Sequence, residues 1–364
     1  MNPFEDMFLK VLRSAMWGHP LDTPKGYKGW KQVLKMAHSQ AVIGLVSDRL
    51  YPHPHLKLKD GIINNMAIHS LMNNSIVVLV NKLREQGIEP VLLKGQGIAS
   101  YYPLSHLRAC GDIDLYVGAE NYEKAYHALS GVVSSIDSVD VLKDKGKHFH
   151  ISLGDHHAEI HRFSEELPSR LKNCLYQKFA LDGLTKDLVP VQINDLAVNT
   201  PADTYNAFYI FHHIWVHLMT SGNCLRQYCD LAFLLHAKSG NIDSSKLEFY
   251  LRKFCLMEPW KVVGSVLVDF LGLPKEDFPF YDPSKAQKAQ KLIHLVLSEE
   301  YFMSGNPLAR EYKNGFLREK LFSFKCELSR LRRIFPIFPC HTFSRFWYTL
   351  WRGLFAFFRD WGRR

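Results

Sequence analysis

The sequence predicts an α+β chain: a mixed sheet flanked by helices, with helices leading into it and a helical region behind it. Three observations lead there. Apolar residues recur at helical spacing up to Gly87 and again after Thr200-Pro201. Between these stretches come short runs that alternate every two residues, and Asp112-Ile113-Asp114-Leu115 is the clearest. Of the 364 residues, 47% are apolar and 13% aromatic, enough to bury a sizeable core.

Residues 3–86 read as helical, broken at 18–29 and at Tyr51-Pro52-His53-Pro54. In 64–86 the apolar positions Ile68, Leu71, Met72, Ile76, Leu79, Val80 and Leu83 share one face, and Gly87 is a natural stop. Pro90-Val91-Leu92-Leu93 is a β-type run ending at Lys94-Gly95, with a short helix expected around 97–102. A strand follows at Ile113 and Leu115, a helix at 119–130, a short strand at 132–135, and two strands at 148–153 and 158–163 joined at Gly154-Asp155. Pro201 is expected in the first turn of a helix capped by Thr200, with Phe208, Phe211, Trp215 and Leu218 along it. Further helices are expected at 225–238, 246–254 and 260–271. The expected units are an N-terminal helical segment (1–63), a mixed-sheet core (64–199), a helical domain (200–319) and a basic aromatic tail (320–364).

Charge and cysteine usage narrow the class. The net charge is +9, but residues 320–364 hold ten Lys and Arg against two acidic residues, a local +8. The rest of the chain is nearly neutral, so nucleic acid is not favoured as a partner. The seven cysteines are scattered, with no C-x-x-C pair, which points to neither a disulfide framework nor a zinc ribbon and fits a reducing cytoplasm. The N-terminal residues lack the apolar stretch of a signal peptide, and no run reaches spanning length.

The chemistry concentrates in Leu92-Leu93-Lys94-Gly95-Gln96-Gly97 and Arg108-Ala109-Cys110-Gly111-Asp112-Ile113-Asp114. Residues two apart on a strand share a face, so Asp112 and Asp114 present adjacent carboxylates that repel unless a cation lies between them. Glu159, in His157-Ala158-Glu159-Ile160-His161, offers a third carboxylate opposite Ala158 and Ile160. Three such groups suit two Mg²⁺ (or Mn²⁺) ions. The Lys94-Gly95 turn can hold phosphate oxygens, and Arg108 can clamp one.

Strand–Lys-Gly–helix, then Arg-x-x-Gly-Asp-h-Asp-h (h apolar), then h-Glu-h-His resembles the uncharacterised nucleotidyltransferase family of the DNA-polymerase-β-like superfamily. That resemblance implies a nucleotidyltransferase-fold core in which Asp112, Asp114 and Glu159 are the catalytic metal ligands and Lys94, Gly95 and Arg108 bind nucleotide. It implies Mg²⁺-dependent transfer of an NMP group from an NTP to a hydroxyl-type acceptor. Two departures from the superfamily are visible: Lys-Gly replaces Gly-Gly or Gly-Ser, and sixteen residues separate Gly95 from Asp112. The resemblance continues through Phe211-His212-His213-x3-His217 and Leu225-Arg226-Gln227-x2-Cys229-Asp230.

Accessory candidates are His161, His213, Arg226 and Asp230. His213 and His217 have zinc-like i, i+4 spacing, but no third ligand is evident and packed histidines are the ordinary outcome. Arg226 and Asp230 are spaced for an intrahelical pair. For Arg108 the alternative to clamping phosphate is a pair with Asp112 or Asp114 when no metal is bound. His148, His150, His156 and His157 show no familiar zinc spacing and are expected at the surface, while His161 is expected to support Glu159 or touch substrate. The competing readings are a nucleotide-sensing or protein-binding module on the same fold, and a D-x-D glycosyltransferase, which would need a sugar-nucleotide domain that the sequence does not show. In the tail, Arg345, Thr349, Arg352, Ala356, Arg359 and Arg363 form one helical stripe against a broad Trp/Phe face over 344–361. That pattern suits peripheral attachment to an anionic membrane at its inner face, or a partner protein.

Overall fold

The computed structural model describes residues 2–53, 56, 58–131, 133–138, 142, 146–154, 156–298 and 316–361, with side chains excepted at 316–321, 323 and 352–361. Helix α1 (Pro3–Trp17) opens with a capping box, in which Asn2 accepts from the Glu5 amide and the Glu5 side chain accepts from the Asn2 amide. Helices α2 (Trp30–Ser39) and α3 (Ile43–Leu50) pack against it, and α4 (Lys59–Arg84) leads to Gly87, whose φ of 68° turns the chain into the sheet. Strand β1 (Val91–Leu92) then passes through Lys94 into the five-residue α5 (Gly95–Ala99). Next come β2 (Ile113–Tyr116), α6 (Tyr122–Leu129), β3 (Ser135–Ile136), β4 (His148–Leu153) and β5 (His156–His161).

Three further elements were not foreseen in the sequence. Helix α7 (Arg170–Thr185) precedes a hairpin of β6 (Val189–Ile193) and β7 (Leu196–Thr200), which extends the sheet to seven strands in the order β3-β4-β5-β2-β1-β7-β6. Thr200 is therefore not a helix cap. It ends β7 and its hydroxyl donates to the Val189 carbonyl, while Ala202 stands at the N-cap of α8 (Asp203–Thr220). The short strand expected at 132–135 lies at Ser135–Ile136 instead. Val132 and Asp155 fall outside the described residues. Helices α9 (Leu225–Lys238), α10 (Ser244–Lys253), α11 (Met257–Ser265, prolonged by a π-helical turn at Val266–Phe270) and α12 (Ala286–Leu297) follow, then α13 (Phe316–Ile334) and α14 (Pro339–Trp361).

Two buried clusters organise these elements. On one face of the sheet, Met72, Ile76, Leu79 and Leu83 of α4 and Tyr122, Ala125 and Leu129 of α6 cover Ile113, Leu115, Phe149, Ala158 and Ile160. The other cluster is almost wholly helical and centres on α8, where thirteen of eighteen residues are buried. A helix apolar around most of its circumference has to sit inside. The alternation of β2 sends Ile113 and Leu115 to the first cluster and turns Asp114 and Tyr116 toward α8.

The tail departs from the expected stripe. Arg345 Nε donates to Glu327 Oε1 at 2.9 Å and Thr349 Oγ1 approaches the same oxygen at 3.4 Å, so both face α13 rather than an outer surface. Phe343, Trp347 and Trp351 are exposed, whereas Phe346 packs against the helical cluster. The stripe positions from Arg352 onward lie outside the described side chains. Among the described residues, no helix is long and apolar enough to cross a membrane.

Candidate functional site

Strands β2 and β5 are parallel neighbours, registered Ile113 to Ala158, Asp114 to Glu159 and Leu115 to Ile160. With both apolar pairs in the sheet–helix core, Asp114 and Glu159 stand side by side on the opposite face. His161, two residues on, shares that face. Its Nε2 lies 2.9 Å from Asp114 Oδ1 and 3.3 Å from Glu159 Oε2. Lys94 Nζ reaches the same Asp114 oxygen at 3.1 Å from the end of β1. Asp112 immediately precedes β2 and is exposed at the mouth of the cleft.

The turn that delivers Lys94 is strained. Lys94 has φ 46° and ψ −150°, and Gly95 follows at φ 53°. A non-glycine residue in that region costs on the order of 1–3 kcal/mol and persists where the surroundings hold it. Here the Leu93 amide donates to the Asp114 carbonyl and the Lys94 ammonium grips the Asp114 side chain, so turn and strand are tied at two points.

Charges in the site are unevenly matched. Burial opposes ionisation of Asp114, but Lys94 and His161 outweigh it and hold this carboxyl far below the ordinary range. Glu159, despite its burial, is also held low by the bond from His161. Burial would depress His161, yet its bonds to Asp114 and Glu159 raise it. Asp112 goes the other way, raised by partial burial and by the like charges of Asp114 and Glu159.

These groups floor a cleft of about 410 Å³ between the sheet and the helical cluster. Its far wall is one face of α8, with Tyr209, His213, Val216 and His217, joined by Arg226 and Gln227 at the start of α9. The His213 and His217 rings meet edge to face with centroids 4.3 Å apart, and His217 Nδ1 is 2.7 Å from Ser221 Oγ. Burial, then the nearby Lys94 charge, pushes both imidazoles below their usual value. They are wall residues, and no third metal donor joins them among the described residues.

Two expected pairings are replaced by others. Arg108 pairs with neither Asp112 nor Asp114. Its Nε and Nη2 donate to the two oxygens of Asp230 at 2.8 and 2.9 Å, and Tyr102 adds its hydroxyl at 2.7 Å. Arg108 and Asp230 are both buried, so this forked pair braces α9 against the segment entering β2. Asp230 is therefore not the intrahelical partner of Arg226. Arg226 donates instead to the Ala109 carbonyl at 3.1 Å, and its guanidinium lies so close to Gly111 that a Cβ there would stand 3.2 Å from Nη1.

His148 is the residue that the sequence reading misplaced. It is half-buried in the cleft with Nδ1 3.8 Å from Glu159 Oε2, whereas His150 and His157 are exposed as expected. Lys147 and Glu165, unremarked in the sequence, form a 3.2 Å pair on the cleft wall. A signal for His148 was present. His148-Phe149-His150-Ile151 alternates, and closing it as a hairpin on Ala158 and Ile160 sets His148 opposite His161 and His150 opposite Glu159.

One protein-family description, an uncharacterised nucleotidyltransferase, matches residues 27–261, which include every site residue above. Comparison with curated proteins and with solved structures finds no match.

Proposed function

The chain belongs to the uncharacterised nucleotidyltransferase family, and from that premise we propose that it moves a nucleotidyl group from an NTP to a hydroxyl-type acceptor and releases pyrophosphate. The observation that best supports this is the register of β2 on β5, which sets Asp114 beside Glu159 on the cleft floor, with Asp112 lining the same cleft at its mouth. The crowding that raises Asp112 is the repulsion a divalent cation would relieve, and an oxygen donor set suits Mg²⁺ or Mn²⁺. On this reading Asp112 and Asp114 hold the ions and Glu159 completes the nucleophile-side position. Ions bound there would supply neutralisation of the triphosphate and activation of the attacking hydroxyl.

The chain's own groups do the rest. Lys94 neutralises Asp114 in the ion-free protein, and its ammonium can turn to phosphate oxygens once Asp114 has another counter-charge. Gly95 lets the backbone approach them. The bond from His161 keeps Glu159 anionic, which suits a ligand better than a proton acceptor. Arg108 contributes by fixing α9 through Asp230 rather than by touching phosphate, and the α8 face with Arg226 meets the acceptor.

The test is incubation of the full chain with each labelled NTP, Mg²⁺ or Mn²⁺ and cell extract, following label and pyrophosphate. Label moving to an acceptor, and ceasing with Asp112→Asn, supports the reading. Nucleotide binding without any transfer would replace it with a nucleotide-sensing module. Absence of both binding and transfer would remove it.

A further inference from the structure

We infer that the nucleophile-side position is a mixed carboxylate–imidazole site, built by Glu159, His161 and His148, that holds a nitrogen-accepting transition ion such as Zn²⁺ or Co²⁺ in preference to Mg²⁺. Only the term "nucleophile-side" rests on the proposed function; the binding of the ion stands on the geometry alone.

Three donor atoms, one each from His148, Glu159 and His161, lie within 4.8 Å of one another. Glu159 Oε2 is the hub, 3.3 Å from His161 Nε2 and 3.8 Å from His148 Nδ1. Asp114 Oδ1 adds a fourth donor, 2.9 Å from the same His161 nitrogen. Donors around a tetrahedral ion with bonds of ~2.1 Å stand about 3.4 Å apart, so the cluster already has nearly the edges such an ion needs.

Hydrogen bonding alone accounts for these groups poorly. His148 Nδ1 is shut off from solvent and has no hydrogen-bond partner, although it points to a carboxylate. At 3.8 Å the two atoms are too far apart to share a proton but well spaced to share an ion. An orphaned buried nitrogen is costly unless something occupies it. His161 is 1% exposed and converges on two carboxylates at once, which a single imidazole proton cannot satisfy equally.

Ligand chemistry selects the ion. Mg²⁺ prefers an all-oxygen octahedron with retained waters, whereas Zn²⁺, Co²⁺ and, less strongly, Mn²⁺ accept imidazole. Asp112 lies outside the cluster and remains with Asp114 for an oxygen-loving ion on the triphosphate side. The wide sequence spacing, His148 to Glu159 to His161, looks unlike a zinc motif because the β4–β5 hairpin, not a helix or knuckle, brings the donors together.

The test uses the full chain stripped with EDTA and titrated with Co²⁺, whose visible absorption reports nitrogen and oxygen ligation, followed by competition with Zn²⁺ and Mg²⁺. One Co²⁺ per chain is expected, displaced by Zn²⁺ and not by Mg²⁺ at a hundredfold higher concentration. His148→Ala, and His148→Gln should the first variant fail to unfold cooperatively, weakens Co²⁺ at least tenfold. His236→Ala, on α9 with its Nδ1 2.6 Å from Asp277 and no part in the cluster, leaves the titration unchanged. Co²⁺ held no more tightly than Mg²⁺, or equally well by both His148 variants, overturns the inference. Asp112→Asn separates the two readings, because it removes Mg²⁺–NTP binding and keeps the Co²⁺ spectrum. A chain that binds Co²⁺ but no NTP would sink the transferase reading and leave this one standing.

Discussion

Two charged centres sit in the same cleft and are built on opposite terms. Arg108 and Asp230 form a closed unit: two donors meet two acceptors at 2.8 and 2.9 Å, Tyr102 takes a remaining lone pair, and both residues are buried. Around Asp114 the demand is over-subscribed. Lys94 and His161 converge on one oxygen, His161 is shared with Glu159, and Asp112 is left crowded by like charge. A satisfied buried pair holds a fold together, whereas an unresolved cluster retains electrostatic energy that a ligand can release. This difference, rather than burial or net charge, separates brace from site.

The comparison is broken most severely at the brace. Arg108→Ala leaves Asp230 buried without a counter-charge, and a loss of about 3–5 kcal/mol is expected in urea unfolding. A variant as stable as the parent would show that the forked pair is dispensable and the contrast empty. At the site the opposite sign is expected. Asp112→Asn removes one of the repelling anions, so the midpoint of unfolding stays level or rises while Mn²⁺–NTP affinity falls at least a hundredfold, about 2.7 kcal/mol. A destabilised Asp112→Asn that still binds nucleotide would reverse the assignment of the two centres.

A third kind of buried group sharpens the contrast from the α8 side. His212 is 4% exposed, stacks on Phe208 and has no partner for Nδ1, and burial lowers its pKa to about 4. It is neutral in the folded protein, so below the ordinary value of ~6.5 the unfolded chain binds the extra proton and stability falls toward pH 4. Between pH 7 and pH 5 this group alone accounts for a loss of about 2 kcal/mol. His212→Phe, which keeps the stacking, should flatten urea midpoints over that interval by the corresponding amount. An unchanged pH slope would mean that His212 finds a proton acceptor in the folded state.

How much of this was legible follows the range of each interaction. The alternation that buries Ile113 and Leu115 against Asp112 and Asp114 is local, and the strand appeared where it was expected. Helix α9 kept its expected bounds because its apolar face and its caps are both written in sequence. Partners across the fold were not legible. The i, i+4 spacing of Arg226 and Asp230 suggested a helix pair, but the buried Arg108 outcompetes an exposed geometry worth only a few tenths of a kcal/mol. The β6–β7 hairpin was missed although Val189, Val191 and Ile193 alternate and Asn194, at φ 52°, makes the turn. Pro190 obscured the strand, but β6 is the sheet's edge, where a missing amide costs little. Helix α7 hid for another reason: its apolar and polar residues are poorly segregated, and it is held by Tyr176 and Phe179, whose rings pack tilted and edge-on, respectively, against Phe208 of α8.

The parallel register of β2 on β5 also sets which length changes the chain tolerates. Between these strands lie α6, β3 and β4, and in their connecting loops an added residue costs little beyond a fraction of a kcal/mol of chain closure. Inside Ala158–Ile160 the same single insertion would rotate every following side chain to the other face of the sheet. Glu159 or its neighbour would enter the apolar layer beside Leu115, and an alanine or isoleucine would stand where the carboxylate belongs. Insertions and deletions among descendants of this sequence should therefore pool in the connections that precede β4, spare the two-residue turn between β4 and β5, and stop abruptly at the three residues that carry Glu159.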